Sequence, residues 1–262
     1  MRSPIEIMML GVGNGFVKTT YQNNALLRTD GKLYLIDCGT TAWHSLHEIG
    51  LGFEDIEAIF ITHLHYDHCG GLDEAALYGA YAAKRKMKLI LPAPLRSVLW
   101  DNCLSGTLEN VAEGKRSLQD YFEVQGVEEG VRFAFGADRG TSNGSSAADP
   151  SGLNAFWMQT PHVPSKFSCS LVIGERFFYS ADMQANPELM GLLHDQGIET
   201  FYHDACFAGN PVHADVLQLC QYPAEIRERI YLMHYGEKPA AIEEKDLGGM
   251  KLLRQHEWRK WD

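Results

Sequence analysis

No run of about 18 apolar residues occurs in this chain, which is the length a membrane-spanning helix needs. The N-terminus also lacks the basic, apolar, small-residue succession of a secretory signal. The expected location is therefore the cytoplasm, or the host-cell cytoplasm if the chain is phage-encoded. Cys38, Cys69, Cys103, Cys169, Cys206 and Cys220 form no CxxC pair and no even framework, which fits reduced thiols rather than disulfides. Positive charge is in deficit: 23 Lys and Arg face 34 Asp and Glu, a formal net charge of −11. Such a surface repels a long polyanion unless a local basic patch offsets it. The best patch, Lys84-Arg85-Lys86-Met87-Lys88, reads as the solvated end of a helix. No short-period repeat is present.

What remains is an ordinary globular composition, 45% hydrophobic and 22% charged, over 262 residues. One α/β domain is expected over 1–262. Strand-like runs lie at 5–10, 25–28 and 33–36, the last two joined by Asp30-Gly31, a hairpin signal. Residues 56–61 form a continuous apolar run of the kind found in a buried strand. Helical spacing follows over 72–86 and a strand over 88–91. Residues 95–125 mix weak helical patterns with turns, and 136–152 has the composition of a mobile loop. The second half reads as strands at 155–160, 168–173, 176–180, 200–203 and 230–233, with helices near 187–196 and 214–220. Both halves thus run strands then helix, so two sheets flanked by helices would gather their strand ends in one cleft.

The chemistry concentrates in Thr62-His63-Leu64-His65-Tyr66-Asp67-His68, directly after the buried strand at 56–61 and before Gly70-Gly71. His63 and His65, one residue apart on a loop, can grip one metal, while Asp67 and His68 project differently and can serve a second. Neutral imidazole and carboxylate suit zinc, manganese or iron at a hydrolytic site. Taken singly, His162 reads equally as a turn residue, Asp182 as a helix cap and His234 as a core histidine.

Residues 62–71 resemble the signature of metallo-β-lactamase-fold hydrolases at every defined position. Thr160-Pro161-His162, Tyr179-Ser180-Ala181-Asp182, Leu232-Met233-His234 and Ile36-Asp37 resemble that family's further motifs, in its order. The resemblance implies a four-layer αββα fold. It implies one metal on His63, His65 and His162, a second on Asp67, His68 and His234, Asp182 between them, and Asp37 supporting the site from behind. Two divalent ions follow, zinc first and manganese as the alternative. No cysteine takes a ligand position, unlike the true β-lactamases, so lactam hydrolysis is not expected.

Gly11-Val12-Gly13-Asn14-Gly15 and His203-Asp204-Ala205-Cys206-Phe207, with His213 beyond, resemble the ribonuclease Z branch, although Asp204 stands where that branch has Glu. The resemblance implies that His213 is a general acid, so Asp67, Asp204 and His213 form the expected catalytic set. His203 reads equally as packing support. No long Gly/Pro- and Lys-rich arm lies between His162 and His234, which disfavours transfer RNA. The compact chain is similar instead to the anti-Pycsar phosphodiesterases. That implies opening of 3′,5′-cyclic mononucleotides by a metal-bound hydroxide, with loose base selectivity, against cyclic-nucleotide antiviral signalling. The alternatives are a tRNA 3′-processing endonuclease, an esterase, lactonase or thioesterase, and a metal-binding module without activity. A homodimer is expected, with part of 95–150 acting as a lid and Trp100, Tyr121, Phe122 and Phe133 available to stack a base. No membrane partner is expected.

Overall fold

The structure, a computed structural model, describes residues 4–135, 152–207, 209–237 and 243–261. Six strands form the first half: β1 Ile5–Met9, β2 Ala25–Thr29, β3 Lys32–Ile36, β4 Ile56–Phe60, β5 Met87–Pro92 and β6 Phe122–Val127. Seven more follow: β7 Phe133–Phe135, β8 Leu153–Gln159, β9 Cys169–Ile173, β10 Phe177–Tyr179, β11 Thr200–Asp204, β12 Ile230–Met233 and β13 Lys251–Leu252. The last, β14 Trp258–Trp261, returns to the edge of the first sheet beside β1. Two mixed seven-stranded sheets result, ordered β14-β1-β2-β3-β4-β5-β6 and β13-β12-β11-β10-β9-β8-β7.

Side-chain alternation stacks these sheets. In β8, Leu153, Ala155 and Trp157 enter the core between the sheets, while Phe156 and Met158 face the helical layer behind. Likewise Ile5, Ile7 and Met9 of β1 face inward and Met8 faces out. Outer helices, among them Ala42–Glu48 on the first sheet and Pro187–Asp195 on the second, bury the outward rows. This is the expected αββα sandwich of the metallo-β-lactamase fold.

The helix expected over 72–86 is shorter than its spacing suggests. A regular helix over Leu72–Leu77 loosens into a wider turn over Tyr78–Ala83, and Lys84 ends it in the left-handed region at φ 55°. The basic run beyond is tied into the fold. Arg85 donates to the backbone carbonyl of Glu54 at 3.0 Å, Lys86 to that of Gln119 at 2.6 Å, and Lys88 meets Glu57 at 2.8 Å. Residues 95–121 form short helical segments on the first sheet, and β6 extends its edge. Tyr121, Phe122 and Phe133 are buried in the cores and Trp100 packs half-buried beside them, so the three buried rings cannot stack on a ligand. Of the loop expected at 136–152, all but Gly152 lies outside the described residues.

Candidate metal centre

Asp37, His63, His162, Asp182, Asp204 and His234 lie at or just beyond the C-terminal end of a strand, Asp67 and His68 stand in the helical turn Tyr66–Cys69 that follows β4, and His213 comes from the loop after β11. β3, β4 and β5 run parallel, as do β10, β11 and β12, and β8, two antiparallel steps from β10, shares its direction. The ends of β3 and β4 therefore meet those of β8, β10, β11 and β12 at one edge of the sandwich, where ligand sites of such sheets form. Three of these ends turn through the left-handed region without glycine: Asp37 (φ 63°), Ala181 (φ 50°) and His234 (φ 57°). Such a conformation costs about 1–3 kcal/mol and persists where the surroundings enforce it, typically at functional sites. Here each turn aims a carboxylate or imidazole at the shared centre.

Two clusters result, and Asp182 belongs to both. In the first, His65 Nδ1 lies 3.1 Å from His63 Nε2 and 3.3 Å from His162 Nε2, and Asp182 Oδ2 lies 3.6 Å from each of the latter two. In the second, Asp67 Oδ2 lies 3.6 Å from His68 Nε2 and 3.3 Å from His234 Nε2. Asp182 closes it, with Oδ1 3.2 Å from His68 Nε2 and Oδ2 3.3 Å from His234 Nε2. The facing atoms of His63, His65, His162 and Asp182 lie within 4.8 Å of one another, as do those of Asp67, His68 and His234. A third grouping of Asp182, Asp204, His213 and His234 meets the same limit, but His213 Nδ1 is engaged by Asp204 Oδ2 at 2.7 Å. That contact leaves His213 Nε2 as the atom able to meet a bound molecule.

Groups behind the clusters fix their orientation. Asp37 accepts the backbone N–H of Thr62 at 2.8 Å and meets His68 Nδ1 at 2.8 Å, so His68 Nε2 turns inward. His162 Nδ1 faces the carbonyl of Val212 at 2.7 Å, and Asp204 also accepts the N–H of Met183 at 3.0 Å. His203 is fully buried in β11, with Nδ1 on the Asp204 carbonyl. His44 stacks on Trp43, while His256 joins Ser45.

The donor set fits divalent cations. Four carboxylates, Asp37, Asp67, Asp182 and Asp204, are buried, and among the described residues no Lys or Arg lines the cleft above them. Among the described residues, buried His68 Nε2 and Asp182 Oδ1 find no hydrogen-bond partner, although they face each other. Burial pushes His63 well below its ordinary range and lowers His65 and His162, which favours the neutral, metal-binding form. Burial opposes charge on His68 too, but Asp182, Asp37 and Asp67 lift it well above its usual value. Against burial, Asp182 and Asp204 lift His234 to about 10. A divalent ion would meet the same concentration of negative charge.

Sequence reasoning overlooked Asn24. It is fully buried; its Nδ2 donates to the Asp67 carbonyl at 3.0 Å, and its Oδ1 accepts the Gly39 N–H at 2.8 Å. The only signal was a polar pair, Asn23-Asn24, opening an apolar strand. Asn24→Ala should leave both backbone groups unpaired, at about 1–3 kcal/mol each. Calorimetry should show a lowered thermal midpoint, whereas an unchanged midpoint would deny Asn24 this anchoring role.

An αββα sandwich carrying these clusters at its strand ends defines a metallo-β-lactamase-fold protein with a metal-binding site. Residues 5–259 match the family described as "Anti-Pycsar protein Apyc1", and the chain belongs to that family. A relative of that description from Paenibacillus xerothermodurans is 37% identical over 255 residues, covering 96% of both chains. Another, from Paenibacillus sp. (strain J14), is 37% identical over 256 residues, covering 97% of this chain and 98% of its own. Among solved structures, the metallo-β-lactamase fold protein YhfI from Bacillus subtilis is similar with a TM-score of 0.72 at 12% identity. It covers 99% of this chain and 100% of its own, and at that identity the likeness concerns the fold.

Proposed function

We propose that this chain is a binuclear metal-dependent phosphodiesterase that opens 3′,5′-cyclic mononucleotides and so counteracts cyclic-nucleotide antiviral signalling. The observation that carries this reading is Asp182, whose two oxygens face both clusters. Membership of the anti-Pycsar family supports the substrate class. The cleft, about 310 Å³, is at the lower end of the ~300–1,000 Å³ typical of small-molecule sites.

His63, His65 and His162 would hold one cation, Asp67, His68 and His234 the other, with Asp182 shared; zinc suits this donor set best and manganese is the alternative. When bound, the pair supplies Lewis acidity, a water of lowered pKa and charge neutralisation on phosphate oxygens. Asp37 acts from behind by orienting His68. Asp67 would also accept a hydrogen bond from the attacking water. His213 donates the proton to the departing ribose oxygen from Nε2. Asp204 orients that imidazole through Nδ1 and favours its charged form. Burial lowers the His213 pKa, but the Asp204 hydrogen bond and charge prevail and hold it above its ordinary value.

Incubation of metal-loaded protein with purine and pyrimidine cyclic mononucleotides should yield 5′- or 3′-monophosphates, and a chelator should stop the reaction. Failure to turn over any of them would remove the reading. The homodimer expected from the sequence, with part of 95–150 closing over the partner's site, belongs to the same proposal. Sedimentation as a monomer at micromolar concentration would dispose of it.

A further inference from the structure

The three buried rings, Tyr121, Phe122 and Phe133, leave base recognition to another element. One aromatic side chain stands out. Phe16 is 82% exposed, the highest value among the exposed large hydrophobics of the described residues, and it lines the cleft over the metal clusters. A single exposed apolar residue is ordinary on a protein surface. An exposed phenylalanine at the mouth of a site is different when its backbone is held in place.

The loop between β1 and β2 is held at several points. Asn14 Oδ1 accepts the N–H of Phe16 at 3.0 Å and that of Val17 at 3.1 Å. Gly13 N–H donates to the Tyr21 carbonyl at 3.0 Å, and its own carbonyl accepts the Asn23 N–H at 2.9 Å. Gly13 also pairs with Tyr235, directly after His234. The Tyr66 hydroxyl donates to the Gly15 carbonyl. A Cβ on Gly15 would stand 2.7 Å from Tyr66 Oη and 3.0 Å from Asp67 Oδ2, so the loop lies directly against a candidate ligand. Phe16 is the next residue. Its ring is therefore offered beside the reacting centre from a backbone whose ordering cost is already met by folding.

Among the described residues that line the cleft, none is Lys or Arg. We propose that Phe16 is the stacking surface for the nucleobase of the bound nucleotide, with half-exposed Tyr66 beside it; this rests on the phosphodiesterase reading above. With the phosphate held over Asp67, Asp182 and His213, the base extends outward to the loop and lies against the ring. Every base presents a π-face, so this contact accepts purines and pyrimidines alike and favours the larger purine modestly.

The test is calorimetric binding of two probes to the metal-loaded full chain, adenosine 5′-monophosphate and ribose 5-phosphate. Wild-type protein should bind the nucleotide roughly 5- to 100-fold more tightly than the base-free sugar phosphate. Phe16→Ala should bring the two close to parity and raise KM for cyclic nucleotides, while Phe16→Trp should retain the preference. The Ala variant should fold normally, because the side chain it removes is exposed. A preference that survives in Phe16→Ala, or no preference in wild type, overturns the stacking role. A base-dependent affinity lost in Phe16→Ala, found in a chain that cleaves no cyclic nucleotide, would sustain the stacking role and overturn the substrate.

Discussion

Asp182→Asn should lower turnover by roughly 10²–10³-fold or more and reduce bound metal from two ions per chain toward one. The carboxylate faces both clusters, with Oδ1 3.2 Å from His68 and Oδ2 within 3.6 Å of His63, His162 and His234. A neutral amide keeps the shape but offers one weak oxygen donor and a nitrogen that repels a cation. Burial by itself would disfavour the charged carboxylate, and the facing His234 and His68 hold it well below its ordinary range. The substitution therefore removes a full negative charge from the point common to both clusters. Elemental analysis of the purified protein, alongside kcat, checks both halves. Unchanged metal content and activity in the variant, or a fully active wild type with one tightly bound ion, would refute the shared bridge.

His213→Ala should cut turnover of a cyclic nucleotide by roughly 10²–10⁴-fold and leave both ions bound. The ribose oxygen is a poor leaving group without a proton, and the proposal assigns that proton to His213, which lines the cleft and meets Asp204 at 2.7 Å. A p-nitrophenyl phosphodiester releases a stable anion and needs no such proton, so its loss should be far smaller. Asp204→Asn should show the same leaving-group dependence to a lesser degree, because the imidazole loses its orienting charge. Equal losses on the two substrates would rule out the acid role.

Much of this centre was legible because its donors lie in short motifs at strand ends. Thr62–Gly71 is contiguous, and Asp37, His162, Asp182 and His234 each follow an apolar run whose end the chain must turn. The structure brings all of them together, with His213 and Asp204 beside them. The strands missed were those with weak patterns. In β6, Phe122 and Val127 are buried, but Glu123, Gln125 and Gly126 are exposed, as suits an edge strand. β14 alternates only half-buried positions at the opposite edge of that sheet. The helix at 72–86 was overextended because alanine-rich spacing continues past residue 77, whereas the left-handed turn at Lys84 is set by Arg85 reaching back to the 53–56 carbonyls. The aromatic residues of 100–133 fit a base-stacking lid and a satellite core equally by sequence, because composition alone cannot tell a buried ring from a presented one, and Tyr121, Phe122 and Phe133 lie in the cores. Phe16 carries the opposite lesson. Within a glycine-rich turn it gave no periodic signal, and its placement depends on Tyr66, fifty residues away in sequence.

The central claim is a phosphodiesterase of cyclic mononucleotides, and it is tested most directly by kcat/KM for such a nucleotide against a precursor tRNA. Both should be measured on the same metal-loaded protein at one metal and salt concentration. A small cleft lined by no lysine or arginine among the described residues and a net charge of −11 predict efficient hydrolysis of the cyclic nucleotide and negligible cleavage of the RNA. Efficient processing of the tRNA with every cyclic nucleotide left intact would contradict the account and assign the centre to RNA 3′-end cleavage.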